Sequence, residues 1–133
     1  MSGTVTLRSI EDLKVYQAAY RLAMQIFEAT KQFPKEERYS LTDQIRRSAR
    51  SVAANVREGF GKRKYGQVFI RHLSDALGSS EETRVWLKFG LDCGYLAQQD
   101  YEPLDRGYDE VNAMLYSLME RWQTFEFGAG AET

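Results

Sequence analysis

A chain of 133 residues with a formal net charge of -1 and 43% hydrophobic residues is long enough to bury a sizeable core and suits a single domain spanning 1–133, with its core over about 10–125 and flexible termini. Two prolines and scattered glycines exclude a low-complexity chain, and neither a membrane-spanning apolar run nor a signal-peptide core is present, so a cytoplasmic protein without a membrane partner is expected. Cys93, the single cysteine, excludes an internal disulfide and reads as a small core residue.

The first segment, "SIEDLKVYQAAYRLAMQIFEATKQF", opens with Ser9 as N-cap and Asp12 three residues on. Leu13, Tyr16, Tyr20, Ala23 and Phe27 then recur at helical steps, with Ala19, Leu22, Ile26 and Phe33 beside them. The pattern predicts one apolar face on a helix of about 23 residues, roughly 35 Å long, which Pro34 ends.

Ser40 and Asp43 offer a capping pair for the second segment, and Leu41, Ile45, Ala49, Val52 and Val56 form its apolar stripe. Gly59 and Gly61 offer left-handed stop conformations. A third helix is expected from about Lys64 to Asp92, with Phe69, Leu73, Ala76, Ser80, Leu87 and Leu91 on one side and Gly94 just past its end. Beginning near Gln98 to Pro103, Leu104, Tyr108, Val111, Leu115, Leu118, Trp122 and Phe125 alternate steps of four and three, a coiled-coil-like spacing, while the terminal "GAET" is expected to fray. Four long helical periods with short connections predict an all-α, antiparallel up-down-up-down four-helix bundle.

Charge is segregated along this chain. Residues 40–72 hold eight Lys and Arg against only Asp43 and Glu58, whereas residues 73–133 hold four bases against twelve acids. At 100° per residue Arg46, Arg50 and Arg57 point one way, with Arg47 at the edge and Lys62, Arg63 and Lys64 in the following turn. Such a cluster suits phosphate, because guanidinium forks bind phosphate oxygens in pairs, and Tyr39, Phe60 and Tyr65 are placed to stack on unpaired bases. The competing reading is a solvated helix face whose arginines pair with the acidic fourth helix, within one chain or across two.

A second stripe on the same helix, Gln44, Ser48, Ser51 and Asn55, is small and polar and suits close packing or a subunit contact. On the third helix Val68, Val85, Trp86 and Phe89 lie away from the core stripe and suggest a subunit contact, and Gly78, Ser79 and Ser80 suit the close approach of a neighbour. Nothing proposes catalysis. A di-iron bundle needs two Glu-x-x-His elements where this chain has one histidine; His72 with Asp75 reads as a surface hydrogen bond; "GFGK" lacks the spacing of a phosphate loop. No metal and no cofactor are expected.

In order and spacing, "LKVYQAAYRLAMQIFEAT", "FPKEERYSLTDQIRRSARSVAANVREGFGK" and "FIRHLSDALGSSEETRVWLKFG" resemble the proteins encoded in intervening sequences of bacterial 23S rRNA genes. The resemblance covers about residues 10–122 and is most specific at Phe33-Pro34, Glu37, Leu41, Gln44, Arg46-Arg47, Ser51, Asn55, Glu58-Gly59, Gly78-Ser79 and Glu82. It implies an antiparallel four-helix bundle, a ring-like homopentamer and no known catalytic activity. Related accessory variability proteins of diversity-generating retroelements form a similar pentamer, bind nucleic acid and partner a reverse transcriptase. Two functions from different classes follow: binding of RNA or DNA backbone through the basic patch, or a protein-interaction scaffold or reverse transcriptase accessory factor.

Overall fold

The computed structural model describes the backbone of residues 13–132 and the side chains of residues 13–122, so the expected Ser9 and Asp12 cap lies outside the described residues. Four helices carry the fold: α1 (Lys14–Ala29), α2 (Leu41–Gly61), α3 (Gly66–Asp92) and α4 (Gln98–Glu132). No strand occurs among the described residues. Each helix packs on its neighbours in sequence, and α4 closes against α1.

Cross-helix bonds fix the directions. Ser48, Ser51 and Asn55 of α2 meet Thr83, Ser79 and His72 of α3 in reverse order, and Arg84 and Glu81 of α3 meet Asp105 and Asn112 of α4 likewise. This is the antiparallel four-helix bundle that the periodicity predicts.

The core is built from the expected stripes of α2, α3 and α4. Leu41, Ile45, Ala49, Val52 and Val56 are buried, as are Phe69, Leu73, Ala76, Ser80 and Leu87, and Leu104, Tyr108, Val111, Leu115 and Leu118. Trp122 closes one end, edge-on to Phe69 at 4.9 Å between ring centroids. On α1 the core face is rotated from the expected one: Val15, Ala18, Ala19, Leu22 and Ile26 are buried, while Tyr16, Ala23 and Phe27 are half-buried and Tyr20 is 55% exposed. α4 comes close to this face at Leu22. A Cβ on Gly107 would meet Leu22 Cδ2 at 2.5 Å, so a larger residue there would require the Leu22 side chain to move.

The helix ends differ from the expected caps. After Ala29 the chain tightens into a 3-10 turn over Thr30–Gln32, with the Thr30 hydroxyl bonded back to the Ile26 carbonyl at 2.8 Å and the Phe27 carbonyl at 3.1 Å, and Pro34 then holds Phe33 extended. Ser40 makes no side-chain cap for α2; instead the Leu41 N–H donates to Glu37 Oε1 at 3.2 Å, and the phenol of Tyr95 donates to Glu37 Oε2 at 2.9 Å. One carboxylate thus ties the start of α2 to the α3–α4 connection. Gly94 takes the left-handed conformation expected after α3, with φ of +80°. Gly59 and Gly61 do not: both stay helical inside α2, and Gly59 serves packing, since a Cβ there would meet His72 Cβ at 2.6 Å. The backbone of α4 continues as helix through the expected frayed end to Glu132.

Candidate nucleic-acid interface

Arg46, Arg50 and Arg57 do share one side of α2, the side that faces α1, and their individual roles diverge. Arg46 is structural. Its Nε donates to Thr30 Oγ1 at 2.8 Å, its Nη2 to the Phe27 carbonyl at 3.3 Å, and its guanidinium lies 4.6 Å from the centroid of the Phe27 ring. It closes the C-terminus of α1, where a cation also meets the favourable end of the helix dipole. Arg57 reaches the Tyr16 ring at 6.0 Å. Arg47 and Arg50 are exposed, and no ion pair engages either of them among the described residues.

The turn after α2 presents its three cations to solvent. Lys62 forms a 3.5 Å surface pair with Glu58 one turn back, a contact of about 1 kcal/mol or less that a stronger anion can displace. Arg63 folds over the Phe60 ring at 3.9 Å and donates to its carbonyl at 2.8 Å, and Lys64 lies 5.8 Å from the Tyr65 ring. Among the described residues no ion pair joins Arg47 or Arg50 to the acidic fourth helix. α2 packs on α1 and α3, and two of the α4 carboxylates are held by Arg84 of α3, whose fork spans Asp105 at 2.8 and 3.2 Å and reaches Asp109 at 3.4 Å. The hydrogen bonds and charge of Asp105, with Glu81 and Asp109, hold the Arg84 guanidinium above its already high ordinary pKa.

The expected stacking residues are placed less uniformly. Phe60 is buried, with one face covered by Arg63, so its ring cannot receive a base. Tyr39 is fully at the surface, but it precedes α2 with Arg38 over its ring at 5.3 Å, a helix length of roughly 30 Å from the turn cations. Tyr65 alone combines exposure with the turn cluster. The aromatic surface beside the arginines comes from α1 instead. Tyr16, Tyr20, Met24 and Phe27 form one wall of a groove of about 390 Å³ whose other wall carries Arg50 and Arg57. The signal for it was the apolar arc of α1, too wide for one core, which spreads over both the buried and the groove-facing residues.

The small polar stripe packs within the chain. The Thr83 hydroxyl donates to Ser48 Oγ at 2.8 Å, the Ser51 and Ser79 hydroxyls are 2.8 Å apart, and Asn55 bonds Ser51 and faces His72 Nδ1 at 3.3 Å. Of the two readings offered for Ser48, Ser51 and Asn55, close packing describes them, as an α2–α3 seam, and the subunit contact does not; Gln44 is exposed. His72 has Asn55 and not Asp75 as its partner, because α2 comes within contact at Gly59. Ser79 and Ser80 face the seam and the core, while Gly78 is exposed with open space around it. Cys93 is exposed just after α3, not in the core.

Of the α3 surface residues, Val68 and Trp86 are half-buried and Val85 and Phe89 are 50% and 52% exposed. Trp86 donates its indole N–H to Glu82 and lies 5.9 Å from Phe89. No described helix is long and apolar enough to cross a membrane.

A family model described as 23S rRNA-intervening sequence protein matches residues 11–117, the span from the start of α1 to the middle of α4. The chain belongs to the 23S rRNA-intervening sequence protein family. A solved structure of a protein of unknown function from the S23 ribosomal protein family of Bacteroides thetaiotaomicron is similar at 26% identity and a TM-score of 0.70, covering 79% of this chain and 97% of that one. No protein of curated function matches. In this intervening-sequence family member the Arg46-Arg47 pair that carried part of the resemblance splits into an internal tie and a surface cation.

Proposed function

We propose that this intervening-sequence protein is a non-catalytic, self-associating bundle that binds the backbone of RNA or DNA. The observation that carries the reading is the exposure of Arg47 and Arg50 without ion pairs among the described residues, on the same helix that leads into Lys62, Arg63 and Lys64. Cations held by no more than the one weak surface pair of Lys62, while Asp105 and Asp109 of α4 are drawn to Arg84, keep their field available to a polyanion. Self-association would repeat the patch by symmetry and add avidity to weak single contacts.

The test is retention of a labelled structured RNA at low and moderate salt by wild type and by an Arg47→Ala/Arg50→Ala/Lys64→Ala protein. Arg46 is left in place because it closes α1. Wild-type binding should fall steeply with salt, and the triple variant should bind more weakly with a log–log slope shallower by about three. Equal binding by the two proteins overturns the patch.

A further inference from the structure

The α1–α2 groove asks for more than phosphate. Its aromatic wall and its arginine wall run antiparallel, and they meet in rungs. At one end Arg57 lies over Tyr16 at 6.0 Å, and at the other Arg46 lies over Phe27 at 4.6 Å. Between them Arg50 lines the groove opposite Tyr20 and Met24, which are 55% and 48% exposed, and no cation stacks on Tyr20 among the described residues. The middle rung is thus an exposed tyrosine, its ring 6.1 Å from that of Tyr16 and tilted 49° to it, beside an exposed guanidinium. Ala53 and Ala54 keep the floor shallow, so the opening is not filled from below.

A duplex has no use for such a slot, since its bases are stacked on one another and present edges, not faces, to the surface. An unpaired nucleotide fits it: the flat base stacks on tyrosine, and the attached phosphate meets arginine. Arg50 and Arg57 lie about 10 Å apart along α2, so the groove can hold successive phosphates of one strand. A volume of about 390 Å³ is at the small-ligand end of binding clefts, enough for one or two bases and too small for a helix of nucleic acid.

We infer that the α1–α2 groove is a base-stacking site for single-stranded RNA or DNA, with Tyr20 as the platform and Arg50 as the phosphate ligand. The inference rests on the backbone-binding reading and narrows it to unpaired strands.

Fluorescence anisotropy with a labelled twelve-nucleotide oligouridylate and a labelled abasic strand of the same length and charge separates the two. Wild type should bind the base-bearing strand about tenfold more tightly than the abasic one. Tyr20→Ala should remove that preference, keep the affinity for the abasic strand and leave the salt slope unchanged, and Tyr20→Trp should restore the preference. Tyr20 is exposed, so the alanine variant keeps its core, and an unchanged thermal melt confirms it. Equal wild-type binding of the two strands overturns the stacking site while leaving backbone binding intact; binding of neither strand overturns both. Displacement of bound strand by an acidic, aromatic peptide that wild type prefers to either strand would make the groove a protein-docking site. A change of subunit number in Tyr20→Ala by light scattering would make it a contact between copies. Either result overturns the inference.

Discussion

At the scale of single residues, the side chains that organise this molecule are charged groups placed where backbone groups would otherwise lack partners. Arg46 and Glu37 show it. One closes the end of α1 with two hydrogen bonds, and the other starts α2 and holds the Tyr95 phenol. The bond to Glu37, reinforced by burial and by the Glu37 charge, pushes the Tyr95 pKa up to about 12 from an ordinary value of 10.0. Below about pH 10 folded and unfolded chains both keep the phenolic proton, so the contribution of this bond to stability is complete. Between about 10 and 12 the unfolded chain releases the proton first, and the contribution is lost. The gap in urea midpoint between wild type and Tyr95→Phe should therefore be constant from pH 7 to 9 and close as pH approaches 12; a gap that widens with pH would contradict the arrangement.

At the scale of elements, helix type and extent were legible in the sequence because a stripe at 3.6-residue period leaves few alternatives. The stripes of α2, α3 and α4 were read residue by residue and are buried except for Leu91 and Trp122, which are half-buried, and Phe125, whose side chain lies outside the described residues. What period alone does not give is the centre of an arc that is too wide, and α1 shows the cost: its aromatic residues were read as core and line a groove. Glycines were misread for a related reason, because local sequence cannot distinguish a stop from a close approach. Gly59→Ala should destabilise the fold by about 1–3 kcal/mol, since the new Cβ meets the Cβ of His72 at 2.6 Å and neither helix can yield cheaply. Gly78→Ala should stabilise it by about 1 kcal/mol, because that glycine is mid-helix with open space around it. Chemical denaturation of the two variants checks the pair, and stabilisation by both would show that helix propensity outweighs packing at the seam.

At the scale of the whole molecule, helix order decides which charges meet. Placing α3 between α2 and α4 gives Asp105 and Asp109 of α4 to Arg84 and leaves Arg47 and Arg50 of α2 facing outward. The same order puts Val85 and Phe89 on the surface beside a groove of about 460 Å³ between α3 and α4, a surface suited to another copy of the chain. If copies associate there, Val85→Glu/Phe89→Glu should lower the molar mass measured by light scattering while the monomer keeps its helical circular dichroism. An unchanged mass would move the subunit contact elsewhere.

By itself the sequence determined the helices, the buried stripes of three of them and the segregation of charge, because each is a property of spacing along one chain. Only the tertiary structure decided which cations are spent inside the fold, which aromatic residues face them and that the small polar stripe is an internal seam. Those are relations between helices, set by how closely two backbones approach and which of their faces meet, and no single helix encodes them.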